Sequence, residues 1–161
     1  MYKRQRDGVL IKVSKAGAIA SVVRSSAPKA DRAWISADST LALTGFVKSG
    51  KVIESAFTKF TTAFAPTWTL RLPSTGNSLV LSAGNTTYGV IQSNSAVSGV
   101  TGWRPTSPAL LMLSFDAKGV MTGASGSTDL TEALSLAYSK DLGLVGLART
   151  SAQSVAIFTI A

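Results

Sequence analysis

Ala109-Leu110-Leu111-Met112-Leu113-Ser114-Phe115, then Asp116-Ala117-Lys118-Gly119, then Val120-Met121, is the stretch that decides the fold. Apolar residues occupy both alternating sets before Asp116, so a strand here has two faces to bury. Asp116 to Gly119 reads as a hairpin turn. Gly permits the positive φ that closes a short loop between antiparallel strands.

The same turn occurs at Val13-Ser14-Lys15-Ala16-Gly17-Ala18-Ile19 and at Leu72-Pro73-Ser74-Thr75-Gly76-Asn77-Ser78. A second pattern covers residues 34–45, 90–102 and 136–146: strand, polar turn with Asp or Asn, strand, Gly. Asp and Asn suit such turns because their side chains bond the backbone two residues on. Gly17 to Gly45 is 28 residues, Gly76 to Gly102 is 26, and Gly119 to Gly146 is 27. The steps between units are unequal: Gly45 to Gly102 is 57 residues and Gly102 to Gly146 is 44. The first step therefore carries an insertion, expected within residues 60–66.

The expectation is an all-β chain of three four-stranded antiparallel repeats. One repeat domain, 7–161, divides into units at about 7–60, 61–107 and 108–154. The third unit has expected strands at 109–115, 120–124, 134–139 and 142–148. An orphan strand at 155–160 looks like the first strand of a further unit. Asp129-Leu130-Thr131-Glu132 carries a capping-box pattern for a short helix, but a polar loop is expected there.

Phe115-Asp116-Ala117-Lys118-Gly119 matches an F-D-x-x-G strand end, and residues 38–45 and 141–146 match D-x-x-G-x-x-x-V-x-G loosely. Ser139-Lys140-Asp141-Leu142-Gly143 looks like the front of an Asp-box without its closing aromatic. On these residues the chain resembles bacterial β-propeller repeat proteins with Asp-box-like blades. The resemblance implies a partial β-propeller from a longer array, because closure takes about four to eight blades. A β-trefoil is the alternative, since it also has three four-stranded units. Trp34, Trp68 and Trp103 sit at different places in their units and form no threefold Gln-x-Trp signature.

Composition narrows the chemistry. The 161 residues include no Cys and no His. This removes disulfides, thiolate chemistry, Cys/His zinc sites and imidazole acid–base catalysis. The eight carboxylates are Asp7, Asp31, Asp38, Glu54, Asp116, Asp129, Glu132 and Asp141. Asp38, Asp116 and Asp141 fall in turns and are expected to be structural. Asp129 and Glu132 are three apart and are expected to be solvated rather than to bind a metal. No facing pair suggests a glycosidase, and nothing ties Arg71, Arg104 and Arg149 into a sialidase-like cluster. No catalytic, cofactor-binding or metal residue is nominated, and no cofactor is expected.

The formal net charge is +8, with eleven Lys/Arg and four Asp/Glu in residues 1–60 against five and four thereafter. Lys12, Lys15, Arg24, Lys29, Arg32, Lys48, Lys51 and Lys59 are not interleaved with aromatics, so nucleic acid is not the expected partner. No apolar run approaches the ~20 residues of a membrane span. No signal peptide is visible. Tyr2-Lys3-Arg4-Gln5 is what translating TATAAGAGACAG, a transposon end used in sequencing libraries, would give. Residues 1–6 are therefore expected to be a non-native or disordered start.

The functional expectation is a non-catalytic, propeller-type interaction or scaffold module. It would bind an unknown protein or carbohydrate through loops on a rigid β frame, in an extracellular or cell-surface setting. The alternatives are a trefoil-like lectin and a virion or other assembly protein. Self-association through exposed blade edges is a further expectation.

Overall fold

A computed structural model describes residues 8–25, 31–37 and 41–160. These form only β-strands, joined by turns and loops. β1 (Gly8–Val13) and β2 (Ile19–Ser25) make a first, two-stranded sheet. β3 (Asp31–Ala37), β4 (Ala42–Ser49), β5 (Val52–Phe60) and β6 (Pro66–Pro73) make the second, in chain order. β7 (Ser78–Ala83), β8 (Thr86–Ser93), β9 (Ala109–Phe115) and β10 (Met121–Ser127) make the third, again in chain order. β11 (Leu130–Ser139), β12 (Gly143–Thr150) and β13 (Val155–Ile160) make the fourth. Every pairing is antiparallel.

β9 is the centre of the stack, and both its faces are covered. Leu111, Leu113 and Phe115 pack with Phe57 and Leu72 of the second sheet. Leu110 and Met112 point the other way, onto Ala148, Leu136 and Phe158 of the fourth. The third sheet thus lies between the second and the fourth, as the doubly apolar reading of Ala109–Phe115 requires. Polar contacts tie the layers as well. Thr44 and Ser78 share a buried hydroxyl hydrogen bond of 2.7 Å, and Gln92 Nε2 donates to the Thr131 carbonyl at 2.6 Å.

Each sheet ends on the same hairpin loop. In residues 14–18, 61–65, 116–120 and 150–154 the first residue's N–H donates to the carbonyl of the fifth, and the fourth residue's N–H donates to the carbonyl of the first. This is a type I turn followed by a left-handed residue. The left-handed residues are Gly17, Phe64, Gly119 and Gln153, with φ between 62° and 82°. A side-chain oxygen on the first residue braces each loop. Ser14, Thr61, Asp116 and Thr150 accept from the N–H of Ala18, Ala65, Val120 and Ser154.

Several expectations need correction. The sheets hold two, four, four and three strands rather than three sets of four. The chain does not divide at residues 60, 107 and 154. β9 and β10 complete the sheet begun by β7 and β8, while β11 and β12 belong to another. Val155–Ile160 is not an orphan but pairs along its whole length with β12. Residues 60–66 hold no insertion, because 61–65 is the standard tight loop. The extra length lies in residues 94–108 between β8 and β9, whose Val97, Val100 and Trp103 pack onto the core. Gly102 therefore sits in that loop, not in a strand equivalent to Gly45 and Gly146. Leu130–Glu132 begins β11 rather than a helix or a loop. Among the described residues no sheet closes into a barrel, which a trefoil requires. Asp7 and Asp38 lie outside the described residues, as do residues 1–6.

Substitutions on β9 and in the braced loops test the packing and the loop geometry in turn. Leu111→Ala and Leu110→Ala remove fully buried side chains from opposite faces of β9. Each is expected to cost about 3 kcal/mol in urea unfolding, where a strand with one wet face would register only one loss. In the loops, exposed Gln153 holds a left-handed φ of 64°. Gln153→Gly is expected to stabilise by about 0.5 kcal/mol, the relief of the left-handed penalty less the added freedom of the unfolded chain. Gly119→Ala should lose well over 1 kcal/mol, since its new Cβ would also meet the Trp68 ring 2.7 Å away.

Candidate functional site

The third and fourth sheets meet tightly through Val90, Leu110, Met112 and Ala148, and part at one end. The gap is a cleft of about 680 Å³. Thr86 and Tyr88 reach it from β8, Met112 to Ser114 from β9, and Thr122 to Ser125 from β10. Tyr138 at the end of β11, Lys140 and Asp141 in the turn that follows, and Ile160 of β13 form the opposite wall.

Register explains how these side chains converge. Tyr88 pairs with Ser114 and is two residues from Val90, so it shares the face of β8 turned toward the fourth sheet. Tyr138 pairs with Leu144, whose side chain is fully buried. The two rings lie nearly parallel, with centroids 6.4 Å apart and planes 25° apart. Tyr138 is still 47% exposed. Around the pair stand hydroxyls. Ser114 and Thr122 are hydrogen-bonded to each other at 3.0 Å, and Thr86 and Ser125 complete the polar wall. β10 contributes small residues here, Gly123 and Ala124, which keep the cleft open.

Asp116 and Asp141 look alike in sequence and act differently. The Asp116 carboxylate accepts from the N–H groups of Lys118 and Val120 at 2.8 and 2.9 Å, so it is the structural brace expected of it. In the β11–β12 turn that work falls to Ser139, whose hydroxyl accepts from Asp141 N–H and Leu142 N–H at 3.2 and 3.3 Å. The Asp141 carboxylate is left at the cleft wall beside Lys140. Nothing in the turn pattern separates these two roles. What tells them apart is which residue stands first in the loop.

The remaining candidates do not converge. Arg71 lies 3.6 Å from Glu54 in the second sheet, and Arg149 lies 3.3 Å from Glu132 in the fourth. Glu132 is thus engaged by Arg149 rather than sharing a cation with Asp129. Trp68 packs on Phe115 and over Gly119, and Trp103 lies over Gly126. Both tryptophans cover glycines of the β9–β10 hairpin and stand away from the cleft wall. Among the described residues no three His, Cys, Asp or Glu side chains are grouped as metal ligands would be. Among the described residues no helix is long and apolar enough to cross a membrane.

The division of labour is directly measurable. Asp116→Ala removes two charge-assisted bonds and is expected to cost about 1.5 kcal/mol in chemical denaturation. Asp141→Ala should change stability by less than about 0.5 kcal/mol. Searches of known protein families, of curated proteins and of solved structures returned no match to this chain.

Proposed function

We propose that the chain is a non-catalytic, propeller-type binding module that takes a carbohydrate into the cleft between its third and fourth sheets. The cleft carries this reading. It holds a half-exposed tyrosine backed by a second ring, with hydroxyl, ammonium and carboxylate groups around it. A pyranose has an apolar face of C–H groups and a rim of hydroxyls. The C–H face suits the electron-rich face of an aromatic ring, and the rim suits mixed donors and acceptors. The volume lies within the range of small-ligand sites. One carboxylate, Asp141, lines the cleft, whereas sugar hydrolysis generally uses two.

The propeller component of the proposal draws on two features. The second and third sheets are four-stranded meanders in chain order, the layout of a propeller blade. The same braced loop joins the last two strands of each sheet. Loops and cleft walls carried on such a frame are well suited to presenting a fixed ligand geometry.

Glycan-array screening followed by calorimetry tests the reading. Tyr138→Ala should weaken binding of the best glycan by about tenfold or more, the equivalent of about 1.4 kcal/mol, with an unchanged unfolding midpoint. No glycan binding at millimolar concentration would overturn it, and so would binding that survives Tyr138→Ala undiminished.

A further inference from the structure

Exposed large apolar side chains are sharply partitioned. Val9, Ile11, Val13, Ile19 and Val22 belong to the first sheet, and Leu134, Tyr138, Leu142, Leu147, Val155 and Ile157 to the fourth sheet and its turn. From β4 to β10 and the loops between them, the described side chains add only Val52 and Val120. The two outer sheets of the chain therefore hold nearly all of it among the described residues.

At each end a set of these residues forms a face. In the first sheet Ile11 pairs with Val22 and Val13 with Ile19, and Val9 lies two residues from Ile11. All five side chains project to one side, while Leu10 and Val23 on the other are half-buried. In the fourth sheet Leu147 pairs with Ile157, flanked by the pairs Val145–Thr159 and Arg149–Val155. That side faces away from the third sheet, since Ala148 and Phe158 face toward it. Contiguous apolar faces of this kind mark interaction surfaces.

We propose that the first-sheet face of one copy packs on the outer face of the fourth sheet of a second copy, so that copies associate head to tail. Inside the chain, sheet on sheet is how such faces are covered: the third sheet is enclosed in this way on both sides. Charge favours the unlike pairing. Residues 8–25 carry Lys15 and Arg24 besides Lys12 on the opposite side, and no acid, whereas the fourth sheet and its approach, the cleft wall apart, carry Asp129 and Glu132 against Arg149 alone. Pairing two first-sheet faces would instead bring like charges together. The footprint is small, roughly 20 by 10 Å for two strands of this length. It falls short of a standard stable interface, so the association is weak and depends on concentration. Because the two surfaces differ, the contact is heterologous and can extend into rings or chains. None of this depends on the cleft.

Sedimentation of the full chain between about 10 and 500 µM tests the proposal, a range chosen for a contact of this size. The wild-type mass should rise with concentration. Ile11 and Ile157 are 54% and 72% exposed, so Ile11→Asp and Ile157→Lys should leave the circular dichroism and melting midpoint unchanged. Each variant alone should lose at least tenfold in association. An equimolar mixture of the two should recover a dimer and nothing larger, because each supplies the face that the other lacks. The proposal is overturned if the wild type stays monomeric. It is equally overturned if either variant alone associates as the wild type does, which would assign the contact to like faces. A mixture that stays monomeric overturns it too.

Discussion

The structure depends on one strand having no wet side. β9 gives Leu111, Leu113 and Phe115 to one neighbour and Leu110 and Met112 to the other. A strand alternates its side chains with period two, so a continuous apolar run can be satisfied only by two partners. That requirement places the third sheet between two others. It also sets the spacing of its neighbours on β8, where Ile91 and Val90 divide in the same way. Close approach at this centre needs missing side chains. A Cβ on Gly89 would lie 2.7 Å from the Phe57 ring, so the second sheet's largest buried side chain sits where β8 has none.

Trp68 and Trp103 repeat this device at the rim. Trp68 reaches from β6 over Gly119, and Trp103 reaches from the 94–108 loop over Gly126. Each indole closes the core against the β9–β10 hairpin, and each keeps its N–H buried without a partner among the described residues. An unsatisfied buried donor costs free energy. The apolar area of an indole packed close against a glycine offsets that cost.

Much of the strand pattern was legible in the sequence. The apolar run at 109–115, the Asp116–Gly119 turn and the closing Val155–Ile160 segment all emerge as strands or loops where the residues suggested them. Which strands share a sheet was not legible. Pairing is a long-range choice, and β10 and β11 are separated by only Thr128 and Asp129 yet belong to different sheets. Glycine misled for a physical reason. Gly17 and Gly119 are needed for positive φ, Gly146 for the ring of Phe158 that lies over it, and Gly102 for a turn in a long loop. One letter thus stands for two requirements, positive φ and room for a ring, met in different settings, and equal spacing between such letters need not mark equal places. The true recurring element was hidden because Phe64 and Gln153 fill the left-handed position in two of its four copies. Its constant feature is Ser, Thr or Asp at the first position, too common a set to stand out.

The cleft was not legible at all, because it arises from how the fourth sheet is turned. Counting back from its braced loop, β5 points positions two, four and six toward the third sheet, with Phe57 the fourth. β9 receives the second sheet with positions one, three and five, namely Phe115, Leu113 and Leu111. A stack continuing in that sense would have β12 receive the third sheet with Arg149, Leu147 and Val145. It uses Ala148, Gly146 and Leu144 instead, while Leu147 remains exposed. The inverted sheet offers small residues at the middle of the contact, and Phe158 fills the space over Gly146. Beyond that contact the facing positions are Tyr88 and Tyr138, rings too large for close packing of the two backbones. They meet nearly parallel and hold the sheet ends apart. The same inversion that opens the cleft also leaves an apolar face outward at the end of the chain's stack, so the two candidate surfaces share one structural origin.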